Sequence, residues 1–248
     1  MNTRPAAPAT TTLPTHRVLV GDCITVMRRM SAGSVDALVC DPPYGIAYTP
    51  LRTKNRRDHP WHSIRGDARF DDHFYEQWLA EAYRLLKPDG HAYVFAHERY
   101  IGDVRHLLST AGFTSKRTLI WDKGTFPPIG DNRCDWGNQT EYIQYAIKGR
   151  RPLEKPRHGN VLRIPRVPAA RMQHPTEKPV ELLRLLIRKS VAPGGVVLDP
   201  FAGSGSTGTA AQLEHRSSVL IELDPTYAAI AKQRLVTTAP EEDLARAG

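Results

Sequence analysis

The sequence has few cysteines and lacks any long apolar run. Its three cysteines, Cys23, Cys40 and Cys134, are widely spaced and form no C-x-x-C pair, which argues against a disulfide framework or a zinc site and is typical of a reducing cytosol. No run of about 18 apolar residues occurs, so we expect no membrane span. Residues 1–15 lack the apolar stretch of a signal peptide, and we expect a disordered tail there. These absences favour a cytoplasmic protein without a metal or a membrane partner.

Charge of one sign predominates, with 34 Lys and Arg against 26 Asp and Glu, a net charge of +8. A basic protein of this size often binds a polyanion, although many simply carry a solvated positive surface. The 248 residues are enough for one large α/β domain and fit two independent cores poorly. Composition therefore supports nucleic-acid binding without establishing it.

Short apolar runs alternate with helical patterns, which is typical of βαβ units and a mostly parallel sheet. We predict one Rossmann-like domain over residues 16–236, with a C-terminal tail at 237–248. The predicted strands number seven: Arg17–Gly21, Val35–Cys40, His91–Ala96, Phe113–Trp121, Glu141–Ile147, Val196–Leu198 and Ser218–Ile221. Glu141–Ile147 is expected to pair antiparallel near the sheet edge. The predicted helices are Ile24–Met30, Asp71–Leu86, Arg99–Ala111, Pro179–Ser190, Ser206–Leu213 and Pro225–Leu235, and turn residues at 87–90 end the second.

A glycine-rich turn, Asp199–Gly205, lies between a predicted strand and a predicted helix. Gly203 and Gly205 let the backbone approach a ligand closely, and the helix start offers free N–H donors. Glu222 ends the following strand, where an acid can accept hydrogen bonds from both ribose hydroxyls. The G-x-G-x-x-G spacing is incomplete, so a nucleoside with a small charged appendage fits better than a dinucleotide. The alternative is a glycine turn used only for packing.

The tetrapeptide Asp41-Pro42-Pro43-Tyr44 directly follows the strand Val35–Cys40. Parallel-sheet enzymes place their reactive groups at the carboxyl ends of strands. Two prolines fix the backbone and remove two N–H donors, so Asp41 and the Pro42 carbonyl can both accept hydrogen bonds from one NH₂ group. Tyr44 offers a flat face on which a base could stack. The alternative is a rigid turn with a surface tyrosine.

These two segments, together with His174–Pro179 (HPTEKP), resemble motifs IV, I and X of the bacterial and phage DNA amino-methyltransferases. Their order, with the catalytic tetrapeptide before the cofactor loop, is similar to the circularly permuted β class. The resemblance runs from about Val18 to Leu235. It implies an S-adenosyl-L-methionine-dependent enzyme of the bacterial cytoplasm, chromosomal or phage-encoded, that flips a base out of double-stranded DNA and methylates the N6 amine of adenine. Family members are often homodimers, which we carry over as an expectation.

The resemblance also assigns cofactor residues. It implies that the missing third strand of the cofactor half lies at the N-terminus and that Asp22 at its end faces the cofactor adenine. Thr176 and Lys178 are expected near the methionine end, although Lys178 could equally be a surface charge at a helix start. The full set of expected cofactor residues is Asp22, Cys23, Thr176, Lys178, Asp199, Pro200, Phe201, Ala202, Gly203, Ser204, Gly205, Glu222, Leu223 and Asp224.

Two basic segments are candidates for DNA contact. Residues 45–70 follow the catalytic tetrapeptide and form a predicted basic loop whose main phosphate contacts would be Arg52, Lys54, Arg56, Arg57 and Arg65. The alternative there is a solvated charge run. The resemblance implies a target-recognition region at residues 124–175, and its shortness suggests a recognition site of few base pairs or help from a second subunit.

Three other functions compete with adenine methylation. An N4-cytosine methyltransferase of the same class uses the same amine chemistry but usually has Ser where this chain has Asp41. An RNA or protein-amide methyltransferase usually has Asn there and an unpermuted motif order. A non-enzymatic DNA-binding module fits poorly because no helix-turn-helix or zinc pattern is present.

Overall fold

The computed structural model describes residues 14–45, 69–124, 134 and 136–238. Eight strands form one sheet: β1 (His16–Val20), β2 (Val35–Cys40), β3 (Leu86–Ala96), β4 (Thr114–Asp122), β5 (Thr140–Lys148), β6 (Val161–Arg163), β7 (Val196–Asp199) and β8 (Ser217–Glu222). The helices are α1 (Cys23–Arg28), α2 (Asp72–Leu85), α3 (Ile101–Thr110), α4 (Val180–Ser190), α5 (Ser206–Leu213) and α6 (Pro225–Thr238), with short 3₁₀ turns at Glu98–Tyr100 and Ala169–Arg171. The predicted α/β fold is confirmed.

The strand order across the sheet is β1-β8-β7-β2-β3-β5-β4-β6. Strands β1, β8, β7, β2 and β3 run parallel, whereas β5 pairs antiparallel with both β3 and β4. The last two strands of the chain therefore lie between the first and the second. Strand β1 pairs with β8 and so adjoins the part of the sheet that holds the Gly-rich turn.

Strand β2 shows why the centre of the sheet has a nearly continuous apolar sequence, interrupted only by the half-buried Asp36. Ala37 and Val39 pack into one cluster with helices α4 and α5, while Leu38 and Cys40 pack into another with α2 and α3. Because alternate side chains of a strand point to opposite faces, a strand covered on both faces is apolar along its covered length, here Ala37–Cys40. Full burial of Leu38 or Val39 contributes about 1.5–3 kcal/mol each, so the strand that carries the tetrapeptide is rigidly held.

Three local predictions differ from the structure. The sheet has an eighth strand, β6, within a segment without periodicity, because three residues with only Leu162 buried are too short to show a pattern. Strand β3 starts directly after α2 at Leu86, since residues 87–90 form a bulge with Asp89 at φ +64° rather than a separating turn. Pro179 precedes helix α4 as its N-cap instead of occupying its first turn.

The predicted strand Glu141–Ile147 pairs antiparallel, as expected, in the part of the sheet that ends at β6. Strand β5 is flanked by β3 and β4, and the short β6 forms the border beyond them. Within the described ranges, no helix is long and apolar enough to cross a membrane. The same residues contain no group of three His, Cys, Asp or Glu side chains that could hold a metal ion.

Candidate active site

Four neighbouring strands each end in an acid. In sheet order these are Asp22 after β1, Glu222 at the end of β8, Asp199 at the end of β7 and Asp41 after β2. The four strands are parallel, so their carboxyl ends meet at one edge of the sheet. The chain leaves β7 and β2 in opposite directions across the sheet, and ligands of open α/β sheets bind at such a switch point.

The Gly-rich turn is tied to the acid at the end of the next strand. The backbone N–H of Gly203 donates to Glu222 Oε2 at 2.7 Å, and that of Asp224 donates to Oε1 at 2.9 Å. Each carboxylate oxygen has a second lone pair, so Glu222 can still accept hydrogen bonds from a ligand. Burial raises the pKa of Glu222 above its ordinary value.

Asp199 lies deeper in the same turn, with 4% of its surface exposed. Its Oδ1 accepts from the N–H of Phe201 at 3.0 Å. Burial is the main cause that raises the pKa of this carboxyl to about 7, and the nearby Asp41 adds to the shift. A cation bound at this position would favour the ionised form.

The two glycines of the turn, Gly203 and Gly205, have different neighbours. Gly205 has φ +83°, and a Cβ there would lie 2.8 Å from the Cβ of Ala231 in helix α6. Gly203 has φ +50°, and a Cβ there would lie 3.3 Å from the ring of His174. Gly205 is therefore required for helix packing, as the alternative interpretation held, whereas Gly203 lies against the segment His174–Pro179.

Both oxygens of the Asp41 carboxylate have partners. The hydroxyl of Tyr44 donates to Oδ1, and the ammonium of Lys178 donates to Oδ2. The hydroxyl of Tyr75 donates to the Pro43 carbonyl at 3.1 Å, which fixes the tetrapeptide against helix α2. Tyr44 was expected to present a flat face, and its half-buried ring lies 6.4 Å from that of His97.

A line of alternating charges continues from Asp41. Lys178, whose side chain is 8% exposed, also contacts Glu141 Oε2 at 3.3 Å, and Lys123 contacts Glu141 Oε1 at 3.1 Å. Burial raises the pKa of Asp41, opposed by Lys178 and assisted by Glu141. Burial alone would lower the pKa of Lys178, but the carboxylates of Asp41 and Glu141 outweigh it and raise that pKa. Burial would likewise raise the pKa of Glu141, but Lys178 and Lys123 lower it.

The segment His174–Pro179 joins the two halves of the site. His174 packs its ring edge-on against Tyr227 at 4.4 Å between centroids and stays neutral, because burial lowers its pKa to about 4. The buried Glu177 pairs with Arg234 at 2.7 Å. Arg234 in turn lies 3.2 Å from the hydroxyl of Ser206 at the start of α5. One segment thus contacts the Gly-rich turn through His174 and Asp41 through Lys178.

The other predicted cofactor residues lie around the same edge. Asp22 caps helix α1 by accepting from the N–H of Thr25 at 2.8 Å, and burial raises the pKa of the Cys23 thiol to about 12. Thr176 contacts the ring of His174 at 3.2 Å. Ala202 and Ser204 are buried in the turn, Phe201 is half-buried against Trp78 with ring centroids 5.1 Å apart, and Leu223 is exposed. Pro200 completes the turn directly after β7.

The predicted phosphate contacts Arg52, Lys54, Arg56, Arg57 and Arg65 lie outside the described residues. Gly45 and Phe70 lie on either side of residues 46–68 and approach each other closely. A Cβ at Gly45 would lie only 1.7 Å from the backbone nitrogen of Phe70. Phe70 also stacks on Tyr100 with ring centroids 4.5 Å apart. The basic segment therefore leaves and rejoins the described chain beside the tetrapeptide.

Sequence reasoning missed Glu141, Lys123, Glu177 and Arg234. Glu141 had been assigned only to a strand, yet an antiparallel strand places its first residues at the edge where the parallel strands end. An acid at the start of that strand was the available signal. Arg234 carried no signal, because it lies in the last helix, 57 positions after the residue with which it pairs.

The known proteins that this chain resembles in sequence and in structure are DNA methyltransferases. The sequence pattern of the N6_N4_Mtase DNA methylase family matches residues 35–233. The type II methyltransferase M2.MboI of Moraxella bovis is 28% identical over 240 residues, which cover 89% of this chain and 87% of that protein. The crystal structure of the M1.HpyAVI–SAM complex has a TM-score of 0.68 at 25% identity, covering 89% of this chain and all of that one. The cytosine-N4-specific PvuII DNA methyltransferase shares the fold, with a TM-score of 0.69 at 19% identity over 95% of this chain and 92% of its own.

Proposed function

Because the chain belongs to the N6_N4_Mtase family of DNA methylases, we propose that it transfers a methyl group from S-adenosyl-L-methionine to the N6 amine of an adenine flipped out of double-stranded DNA. The observation that carries the proposal is the position of Asp41. Asp41 directly follows β2, the strand paired with β7, and its carboxylate interacts electrostatically with Asp199 at the start of the Gly-rich turn. An acceptor for an NH₂ group and a crevice for a nucleoside cofactor are thus adjacent.

The residues of the crevice fit this cofactor. S-adenosylmethionine carries a positive sulfonium and a positive amine, and the edge presents the four acids Asp22, Asp41, Asp199 and Glu222 with Lys178 already paired. Glu222 would accept from the ribose hydroxyls, and Asp199 with the Gly203 turn would lie along the amino-acid part. When bound, the cofactor supplies an electrophilic methyl group that needs no further activation.

The protein then has to align and desolvate the target amine. An adenine N6 lone pair is delocalised into the ring, so the amine is a poor nucleophile. Hydrogen bonds from its two protons to Asp41 and the Pro42 carbonyl favour a pyramidal nitrogen with a more localised lone pair. The N–C bond forms as the C–S bond breaks, and the proton that the amine then releases passes to Asp41 or to water.

The free protein holds Asp41 in a closed arrangement that the target must open. Tyr44 occupies Oδ1 and Lys178 occupies Oδ2. Tyr44 is neutral and adjoins Gly45, so it is the partner that yields when the amine binds, and its ring then becomes free to stack on the base. The basic segment 45–70 and the region 124–175 would hold the DNA, with Arg52, Lys54, Arg56, Arg57 and Arg65 on phosphates.

N4-cytosine methylation is the second candidate. Cytosine presents the same kind of exocyclic amine, and the family covers both chemistries by name. The acid at position 41 favours adenine, since N4-cytosine enzymes usually have Ser there.

The test is incubation with labelled S-adenosylmethionine and mixed-sequence DNA, followed by nucleoside analysis. We expect label in N6-methyladenine, and label in N4-methylcytosine would establish the second candidate. Asp41→Ala should lower the rate by roughly 10²–10³-fold, the cost of removing one preorganised hydrogen-bonding group, with cofactor affinity retained. Methylation by that variant at the wild-type rate would refute the assignment of Asp41.

A further inference from the structure

Lys178 is held by two carboxylates that come from different parts of the chain. Asp41 follows β2 and Glu141 starts β5, and the Lys178 ammonium contacts both. It also donates to the Thr176 carbonyl at 3.3 Å. The ammonium thus donates hydrogen bonds to Asp41 and to the Thr176 carbonyl and forms an ion pair with Glu141, so it cannot move away without losing one of these contacts.

Glu141 is anchored in turn by its backbone and by a second cation. It pairs with Trp121 of β4 in the sheet register, and the ammonium of Lys123 contacts its other oxygen at 3.1 Å. The side chains of Lys178, Lys123 and Asp41 are 8%, 13% and 18% exposed. Such a partly buried line is screened little by solvent, so each charge fixes the position of the next.

From this geometry we propose that Glu141 is a positioning residue for methyl transfer. It holds the Lys178 ammonium against Oδ2 of Asp41, so that Oδ1 alone exchanges the Tyr44 hydroxyl for the target amine. This inference rests on the proposed function and assigns Glu141 no contact with the DNA base or with the cofactor. Without Glu141, Lys178 has one fewer anchor and the Asp41 carboxylate can turn.

The charges around Asp41 set its pKa, so the positioning role of Glu141 can be tested through the pH dependence of the reaction. Among the described residues, five groups interact directly with Asp41: Lys178, Glu141 from β5, Asp199 from β7, Cys40 and Tyr44. His174 interacts with Lys178 and so acts on Asp41 only indirectly. The negative charge of Glu141 raises the pKa of Asp41, whereas the positive charge of Lys178 lowers it. Removing the charge of Glu141 should therefore lower the pKa of Asp41, and removing the charge of Lys178 should raise it.

The experiment compares the pH profile of kcat for wild type, Glu141→Gln and Lys178→Met in the labelled DNA assay. We expect Glu141→Gln to lower kcat at the optimum by about 10–100-fold, the cost of a misplacement of up to an ångström, and to move the acidic limb to lower pH. Lys178→Met should move that limb to higher pH. Cofactor affinity of Glu141→Gln, measured by calorimetry, should stay within about twofold of wild type, as expected for a group that does not touch it.

A purely structural role would affect stability and rate without this opposite pair of shifts. Glu214→Gln is the matched control, because Glu214 is a buried carboxylate at the end of α5 that Arg184 of α4 contacts at 2.7 Å. It should leave both kcat and the limb unchanged. Glu141→Asp keeps the negative charge but moves it back by one methylene. It should lower kcat several-fold and leave the acidic limb of the pH profile unchanged. If Glu141→Gln does not fold, this variant tests the positioning role in its place.

Three outcomes would each overturn the inference. The acidic limbs of Glu141→Gln and Lys178→Met could move in the same direction, kcat of Glu141→Gln could lie within twofold of wild type, or cofactor affinity could fall together with kcat. These outcomes differ from failure of the proposed function. If wild type labels no nucleoside, both proposals fail. If wild type labels DNA and Asp41→Ala is slowed as predicted, while Glu141→Gln behaves as wild type, only the positioning role fails.

Discussion

Substitution of Gly205 by alanine tests why a glycine stands at the start of helix α5. The residue has φ +83°, in the left-handed region, and its Cβ would lie 2.8 Å from Ala231 Cβ and 3.0 Å from Ala231 Cα. Two costs therefore add, one from the backbone conformation and one from contact with helix α6. Because the second partner is backbone rather than the end of a flexible side chain, α6 itself would have to move.

Gly194 provides a matched control for the first cost alone. It has φ +78°, and a Cβ there would meet nothing within 4 Å. A left-handed conformation costs an L-residue about 1–2 kcal/mol, and overpacking a well-packed interior costs about 1–3 kcal/mol. Gly194→Ala should thus lower the free energy of unfolding by about 1–2 kcal/mol, and Gly205→Ala by about 2–5 kcal/mol in sum.

Urea titration of wild type and both variants at one pH measures the two differences. The expected result is a larger loss for Gly205→Ala, with an unchanged dependence of the free energy on urea. Equal losses in the two variants would refute the packing argument. It would then follow that Gly205 is required only for its backbone conformation.

Two further predictions concern buried charges near the turn. The pKa of Asp199 is about 7 in the folded protein against an ordinary 3.8, so the folded carboxyl binds more protons between these values and stability falls as the pH rises through that window. Asp199→Asn should therefore be increasingly stabilised relative to wild type from pH 4 to pH 7 in thermal melts, and a constant difference would contradict the shift. Arg234→Met should cost about 3–5 kcal/mol because it leaves the Glu177 carboxylate buried without its cation. Adding Glu177→Gln should recover much of that loss, and a double variant as unstable as the single one would refute the ion-pair explanation.

The alternation of strands and helices was readable because each element has a strong local signal. Strand β2 was predicted with its observed bounds, since burial on both faces favours a nearly continuous apolar run, which only Asp36 interrupts. Helix α5 was predicted equally well, because a glycine turn precedes it. Strand β6 was missed, because it forms only where β4 offers an unpaired edge and three residues hold no pattern.

The two main segments of the site were also readable, since Asp41 and Asp199 both follow apolar strands. Their neighbourhood could be inferred from the rule that parallel strands end at one edge. Their partners could not. Lys178 was predicted near the cofactor, and only the folded chain shows it between Asp41 and Glu141.

The sequence alone determined seven of the eight strands, the position at which each of them ends to within one residue, and the acid at or just after four of these ends. These properties are local, because they depend on hydrophobic periodicity and on the few residues that follow a strand. Only the tertiary structure decided which charges meet, since Glu141, Lys178 and Arg234 find their partners across long stretches of chain. Pairing over such distances depends on the order of all the strands in the sheet, which the local pattern of any one segment does not specify.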